Sequence, residues 1–255
     1  MNPPAAAAQA SRLSGAPARD HLALALDVGD RASAMDLVER FGDDFGVMKV
    51  GLELFVAEGP ALIRDLMAAG SRVFLDLKLH DIPNTVERAA RRAGELGIWL
   101  LTLHTQGGHD MLAAGVRGLS DGAAARSADT PGGTAGGLEP LALGVTVLTS
   151  DAEAPPEVLV GRAALAEQAG CGGVVCAAPD VPTVSAAVPE MLRVVPGIRP
   201  AGAERSDQRR VATPASALAA GADVLVIGRA VTAAPDPEAA TAAIVAEVSA
   251  ELGAP

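Results

Sequence analysis

Short apolar runs alternate with longer stretches of helical periodicity along most of this 255-residue chain. Eight runs have the length and apolar character of buried strands. They span residues 22–28, 47–54, 73–79, 99–104, 141–148, 173–177, 193–197 and 223–228. Helix-length stretches with apolar residues three and four apart lie between them, including residues 32–42, 60–69, 84–96 and 156–169. Nearly continuous apolar strands separated by helices indicate a parallel sheet covered by helices.

Eight such units predict a single-domain α/β protein, a (β/α)8 TIM barrel. A doubly wound open sheet is the alternative, although no Gly-x-Gly-x-x-Gly turn follows the first strand. We expect helices to stop at Gly70, Gly97, Gly170 and Gly221. We predict a flexible N-terminal extension over residues 1–19, the barrel domain over 20–255, and a flexible insertion over the Gly-rich residues 120–138.

Charge and composition exclude several classes of protein. The net charge is −11, and no basic stripe is present, so nucleic-acid binding is disfavoured. No apolar run approaches the roughly 20 residues of a membrane-spanning helix. The Ala- and Pro-rich start lacks the pattern of a secretory signal. Cys171 and Cys176 are too few for a disulfide framework, which favours two core residues in a reducing cytoplasm.

Lysine is scarce in this chain. Of its 20 basic residues, only Lys49 and Lys78 are lysines, and the others are arginines. A lysine that is kept among arginines is a candidate for chemistry that needs a compact, deprotonatable ammonium group. The alternative is the chance survival of two surface lysines.

Polar side chains fall at the ends of the predicted strands, where barrel enzymes gather their active-site groups. In chain order they are Asp27, Lys49, Asp76, Lys78, His104, Thr149, Gly228 and Arg229. Asp76 and Lys78 are two residues apart and share one face of a strand, while the leucines between and beside them take the other. That face should be the barrel interior. A structural ion-pair network is the alternative to a catalytic array.

The loop after the third strand carries Asp81, Pro83 and Asn84. Asp81 or Asn84 could also cap the following helix. His80 lies out of phase with the inward residues, so a structural role is expected. No role is assigned to His21 or His104, and no His, Asp and Glu trio has the spacing of a metal site.

Loops after strands seven and eight usually bind phosphate in such barrels. Arg199 and Gln208 lie after strand seven, and Gly228 and Arg229 after strand eight. Glycine lets the backbone approach an anion, and arginine binds phosphate oxygens through two donors. Arg209 and Arg210 are more simply explained as a solvated surface pair.

Several motifs in this order resemble those of the orotidine 5'-phosphate decarboxylase family, whose members catalyse the last step of de novo UMP synthesis. The resemblance covers about residues 21–251. The motifs are LALDV (24–28), VMKVGLELF (47–55), FLDLKLHDIPNTV (74–86), GVTVLTS (144–150), PGIRP (196–200), SDQRR (206–210) and VIGRAVT (226–232).

The resemblance implies a role for each matching residue. Lys78 would donate a proton to C6 of the pyrimidine, and Asp76 would face the departing carboxylate. Lys49 would link Asp76 to the ribose, which Asp27 would also contact. Asp81, with Ile82 and Thr85, would reach the active site of the partner in a homodimer. Thr149 would contact the base, and the phosphate side would be held by Arg199, Gln208, Gly228 and Arg229.

This mechanism implies a cofactor-free lyase, with orotidine 5'-monophosphate as its substrate and no metal, flavin or pyridoxal phosphate. Two alternatives stay open. One is a magnesium-dependent sugar-phosphate decarboxylase or aldolase that shares the Asp-x-Lys-x-x-Asp core. The other is a catalytically inactive barrel that only binds a nucleotide or a protein.

Overall fold

The computed structural model describes residue 13 and residues 15–129, 139–148, 155–200 and 212–253. The side chains of residues 128 and 129 are not part of this description. Within these ranges, no helix has both the length and the apolar character that crossing a membrane requires.

Eight parallel strands close into a barrel in sequence order, β1 to β8, with β1 paired to β8. They are β1 Leu22–Ala25, β2 Val47–Gly51, β3 Arg72–Leu79, β4 Leu100–His104, β5 Leu141–Val145, β6 Gly173–Val175, β7 Leu192–Pro196 and β8 Val224–Ile227. The predicted (β/α)8 barrel is confirmed, and the open doubly wound sheet is wrong. The observed strands begin within one residue of the predicted positions. Four of them end two or three residues earlier than predicted, two end one residue earlier, and two end at the predicted residue.

Helices follow the strands and cover the barrel. They are α1 Arg31–Phe41, α2 Leu52–Ala68, α3 Pro83–Leu96, α4 Gly108–Asp129, α5 Pro156–Gln168, α6 Val181–Ala187, α7 Pro214–Ala219, α8 Arg229–Thr232 and α9 Pro237–Glu251. Gly70, Gly97, Gly170 and Gly221 follow helices and have φ between 85° and 103°. Only glycine adopts this left-handed conformation without strain, which explains why the helices end there as predicted.

The core has two layers, as expected of a closed barrel. Small and medium apolar residues such as Ala23, Val47 and Leu143 fill the inside together with Phe74 and Trp99. A larger cluster packs the outside of the strands against the helices. Alternate residues of each strand therefore serve the two layers.

Part of the predicted N-terminal extension packs against the barrel. Leu13 is buried with the residues that fill the barrel interior, and its carbonyl oxygen lies 3.1 Å from His21 Nε2. Ala18–His21 form a 3-10 turn before β1. Apolar contact with the barrel thus orders residues that the composition alone marked as frayed.

The predicted insertion over residues 120–138 is wrong for its first part. Residues 120–129 continue α4, and residues 130–138 lie outside the described residues. The glycines that suggested a loop instead allow close packing between helices. A Cβ at Gly118 or Gly122 would overlap the backbone of α3 at Glu87 or Arg91.

Candidate active site

One cavity of about 290 Å³ opens at the carboxyl ends of the strands. Its wall combines charged side chains with an apolar surface that includes Val145, Val147 and Val226. The charged or predicted site residues that line it are Asp27, Lys49, Asp76, Lys78, Arg199, Gly228 and Arg229. The structure therefore brings together seven of the predicted residues, contributed by five different parts of the barrel.

Asp76 and Lys78 form an ion pair on β3. Lys78 Nζ lies 2.8 Å from both carboxylate oxygens of Asp76. The two side chains are 14% and 34% exposed, for Asp76 and Lys78 respectively, so each is partly withdrawn from water while it still borders the cavity. The inward phase predicted for this pair is present, since Phe74 faces the interior and Leu75 belongs to the outer layer.

The backbone at Lys78 departs from regular strand geometry. Lys78 has φ of 49° and is the one non-glycine residue with positive φ within the described ranges. The register between β3 and β4 also shifts between Leu75 and Leu79. Non-glycine residues in this region are strained by about 1 to 3 kcal/mol, and such strain concentrates at functional sites.

Thr102 contacts this pair and was missed from the sequence. Its side chain is fully buried on β4, and its hydroxyl lies 2.9 Å from Asp76 Oδ1. The backbone N–H of Lys78 donates to the same hydroxyl at 2.8 Å. In the sequence, the only sign of this role is that Thr102 is a polar residue between the apolar residues of the run WLLTL, just before His104.

Lys49 pairs with Asp27 in this structure. Lys49 Nζ donates to Asp27 Oδ1 at 3.1 Å, which joins the ends of β2 and β1. Lys49 has β1 on one side and β3 on the other, since it pairs in register with Ala25 and with Phe74. The link from Lys49 to Asp76 that the resemblance implied stays a prediction. A link from Lys49 to a bound ribose stays a prediction.

The loop from Asp81 to Thr85 does not line the cavity of its own chain. All of its residues are exposed, and the Asp81 carboxylate accepts a hydrogen bond of 2.7 Å from the Ile82 N–H. Ile82 precedes α3 without a side-chain cap, so Asn84 is not the N-cap of this helix. This placement leaves the Asp81 side chain available at the surface beside the barrel mouth.

Three of the predicted phosphate residues, Arg199, Gly228 and Arg229, line the cavity at the ends of β7 and β8. The Arg199 N–H donates to the Ala212 carbonyl, and this bond joins the two ends of the loop after β7. A Cβ at Gly228 would come into van der Waals contact with Ala25 Cβ and Asp27 Oδ2, at 3.5 Å from each, so this glycine leaves open space next to the end of β1. Thr149, Gln208, Arg209 and Arg210 lie outside the described residues.

The contacts and burial of two histidines and both cysteines fit structural roles. His80 is exposed and stacks on the buried His104, with ring centroids 5.5 Å apart. Cys171 and Cys176 are both buried and are not joined in a disulfide, and burial raises the pKa of the Cys171 thiol to about 12. A thiol with such a pKa is not a nucleophile at neutral pH. Among the described residues, no three His, Cys, Asp or Glu side chains form a group that could hold a metal.

Residues 20–244 match the family model of the orotidine 5'-phosphate decarboxylase / HUMPS family. The match spans the whole barrel and every charged residue of the cavity. The chain belongs to this family.

Similar proteins within the orotidine 5'-phosphate decarboxylase family come from several bacteria. An orotidine 5'-phosphate decarboxylase of Anaeromyxobacter dehalogenans is 50% identical over 238 residues, which cover 89% of this chain and 97% of that protein. One from Moorella thermoacetica is 46% identical over 243 residues, or 91% and 93% of the two chains. The crystal structure of the Lactobacillus acidophilus enzyme has a TM-score of 0.73 and 34% identity, covering 89% of this chain and 98% of that one.

The family resemblance predicted from the motifs is therefore confirmed. The solved structure also supports the same barrel topology, because it covers almost the full length of both chains.

Proposed function

We propose that this chain is a cofactor-free orotidine 5'-phosphate decarboxylase, which converts orotidine 5'-monophosphate to UMP and CO₂ in pyrimidine biosynthesis. Family membership supports the reaction. The observation that carries the proposed mechanism is the Asp76–Lys78 pair at the cavity, with an ammonium 2.8 Å from a carboxylate. A cytoplasmic location is part of the proposal, in keeping with two buried cysteines that form no disulfide in the described part of the chain.

The chemical problem is a carbanion without a neighbouring carbonyl group to delocalise its charge. The bond between C6 and the carboxylate breaks and leaves its electron pair on C6. Fixed charges stabilise such a state well, because they need little reorganisation when the charge develops. The ammonium of Lys78 is held in place by Asp76 before substrate binds, which meets this requirement.

Lys78 then completes the reaction. The Nζ–H bond breaks, its proton forms the new C6–H bond, and the neutral amine regains a proton from water. Arginine does not perform this step because its guanidinium does not release a proton at physiological pH. This difference accounts for a lysine at position 78 in a chain that otherwise favours arginine.

Asp76 acts on the substrate carboxylate. Two carboxylates close together repel each other, and the repulsion is relieved as the substrate loses CO₂. Binding energy from the distant phosphate offsets the repulsion in the bound substrate. In the proposal, Asp27 and Lys49 contact the ribose, Thr149 contacts the base, and Gln208 joins the phosphate residues.

Arg199 and Arg229 provide the local positive charge that a phosphate ester needs on a chain with a net charge of −11. Gly228 begins the short helix α8, and its backbone borders the same cavity. Placing the phosphate here sets the pyrimidine toward Asp76 and Lys78 on the opposite wall.

The proposal includes a homodimer in which Asp81 serves the partner's active site. Large exposed apolar side chains follow the neighbouring strands β2 and β3: on α2 Leu52 is 56% exposed and Val56 80%, and Ile82 in the loop after β3 is 65% exposed. Such a patch is typical of a protein interface. A second opening to the site is lined by Leu52 together with Asp27, Lys49, Asp76 and Lys78. A partner loop seated on Leu52 would bring its own Asp81, Ile82 and Thr85 to this opening.

The direct test is a spectrophotometric assay of orotidine 5'-monophosphate, run with and without a chelator. We expect the substrate absorbance to fall at the same rate in both, with UMP as the product. Chelator-sensitive turnover of a sugar phosphate, without turnover of the nucleotide, would favour the magnesium-dependent alternative. Binding of UMP without any conversion would favour an inactive barrel.

A further inference from the structure

The buried hydroxyl of Thr102 stands at the irregular part of the sheet. Leu75 pairs with Leu101, and the next pair along the strands is Leu79 with Leu103. Three residues of β3, from Asp76 to Lys78, therefore face the single residue Thr102 of β4. A bulge of this kind leaves backbone groups without their ladder partners.

The hydroxyl replaces one of those partners. The backbone N–H of Lys78 can only donate, so the Thr102 oxygen must accept this bond of 2.8 Å. The hydroxyl proton is then left for Asp76 Oδ1, which lies 2.9 Å away and accepts when ionised. One side chain thus binds the backbone of the proposed proton donor and the carboxylate beside it.

We propose that Thr102 is a positioning residue for decarboxylation. It holds Lys78 in its strained backbone conformation and fixes the direction of the Asp76 carboxylate. It does not touch the cavity itself, so it acts only through these two residues. This inference rests on the proposed function of Asp76 and Lys78, but its structural half is testable without turnover.

Thr102→Val removes the hydroxyl and keeps the side-chain shape, whereas Thr102→Ser keeps the hydroxyl. Hydrogen bonds to charged groups contribute enough for a 10- to 100-fold effect on rate, in order of magnitude. We expect Thr102→Val to lower kcat by about that factor, while Thr102→Ser stays within about threefold of wild type. UMP affinity should change little in both, because UMP lacks the carboxylate that Asp76 faces.

Thr105→Val is a matched control. Thr105 is also buried, but its hydroxyl donates to the Val145 carbonyl at 2.7 Å and does not contact Asp76 or Lys78. We expect this variant to lose stability without a matching fall in kcat. Equal losses of kcat in Thr102→Val and Thr105→Val would overturn the positioning role, as would wild-type kcat in Thr102→Val.

Two lysines make a second readout possible. Selective ¹⁵N-lysine labelling gives backbone amide signals only from Lys49 and Lys78. In Thr102→Val we expect hydrogen exchange at the Lys78 amide to accelerate at least about tenfold, with Lys49 unchanged and Thr102→Ser protected. Unchanged Lys78 exchange would overturn the inference, even in a protein that failed to decarboxylate the nucleotide. If the wild type itself fails to decarboxylate the nucleotide and Thr102→Val still accelerates exchange at the Lys78 amide, the proposed function is wrong. The structural role of Thr102 would then stand.

Discussion

At the scale of single residues, the site depends on charges held by short contacts across neighbouring strands. Asp76 receives hydrogen bonds from Lys78 and from Thr102, and Lys49 is paired with Asp27. These contacts preorganise two ammonium groups before the substrate arrives. The proposed source of positive charge for the phosphate is Arg199 and Arg229, which line the same cavity.

This division of charge predicts the effect of removing Arg229. Arg229→Ala should raise KM for orotidine 5'-monophosphate about 10- to 100-fold, the size expected for lost charge-assisted hydrogen bonds. In calorimetric titrations, the affinity of Arg229→Ala for UMP should fall much more than its affinity for uridine, since uridine has no phosphate. Arg64→Ala, an exposed arginine on α2, is the control. An equal loss of affinity for uridine would remove Arg229 from the phosphate site.

The sequence was sufficient to find the charged residues but not all of their partners. Strand phase and the scarcity of lysine identified Asp76, Lys78 and Lys49 without any structure. Thr102 was missed because its importance depends on the bulge opposite it, and a bulge depends on pairing between strands. The Lys49–Asp27 pair was missed for a similar reason, since it depends on how the residues after β1 are placed beside β2.

At the scale of elements, close helix packing explains where local patterns misled. Glycine between residues 115 and 122 reads as a loop signal when propensity is considered alone. In the structure, Gly118 and Gly122 lie on α4 against the backbone of α3, so that the missing side chains create the contact. Tertiary packing therefore overrides a local preference, whereas the helix stops at Gly70 and Gly97 were predictable because they depend only on local backbone conformation.

This packing predicts opposite effects of the same substitution on two helices. Gly122→Ala would place a methyl group into the Arg91 backbone, so we expect a loss of about 1 to 3 kcal/mol in the free energy of unfolding. The new Cβ of Gly161→Ala on α5 would meet nothing within 4 Å. This variant should gain about 0.5 to 1 kcal/mol in the free energy of unfolding, because alanine favours a helix more than glycine does. Urea unfolding of both variants measures the difference. Stabilisation by both would show that α3 and α4 are not in close contact.

At the scale of the whole molecule, the barrel brings residues from distant parts of the chain to one mouth and leaves an apolar patch beside it. The closed topology was predictable, because eight apolar runs of similar spacing allow few other arrangements. The ordering of Leu13 against the barrel interior was not, since a single apolar residue in an Ala- and Pro-rich segment carries no periodic signal.

The proposed dimer predicts complementation between two inactive variants. Lys78→Ala and Asp81→Ala each damage one half of every shared site. A heterodimer of the two contains one site with both residues intact, so random mixing should restore about a quarter of the wild-type activity. The measurement is turnover after the subunits have been dissociated and reassociated, with mixing confirmed by mass spectrometry of the intact dimer. Absence of recovery would show that Asp81 serves its own chain.

The central claim is that Lys78 delivers the proton that completes decarboxylation. The most direct test compares UMP formation by wild type and by Lys78→Ala, with UMP affinity measured on both. Proton transfer by a positioned side chain contributes about 10²- to 10⁴-fold, so we expect Lys78→Ala to lose at least about 100-fold in turnover while it still binds UMP. Turnover of Lys78→Ala within tenfold of wild type would contradict the proposed role of Lys78.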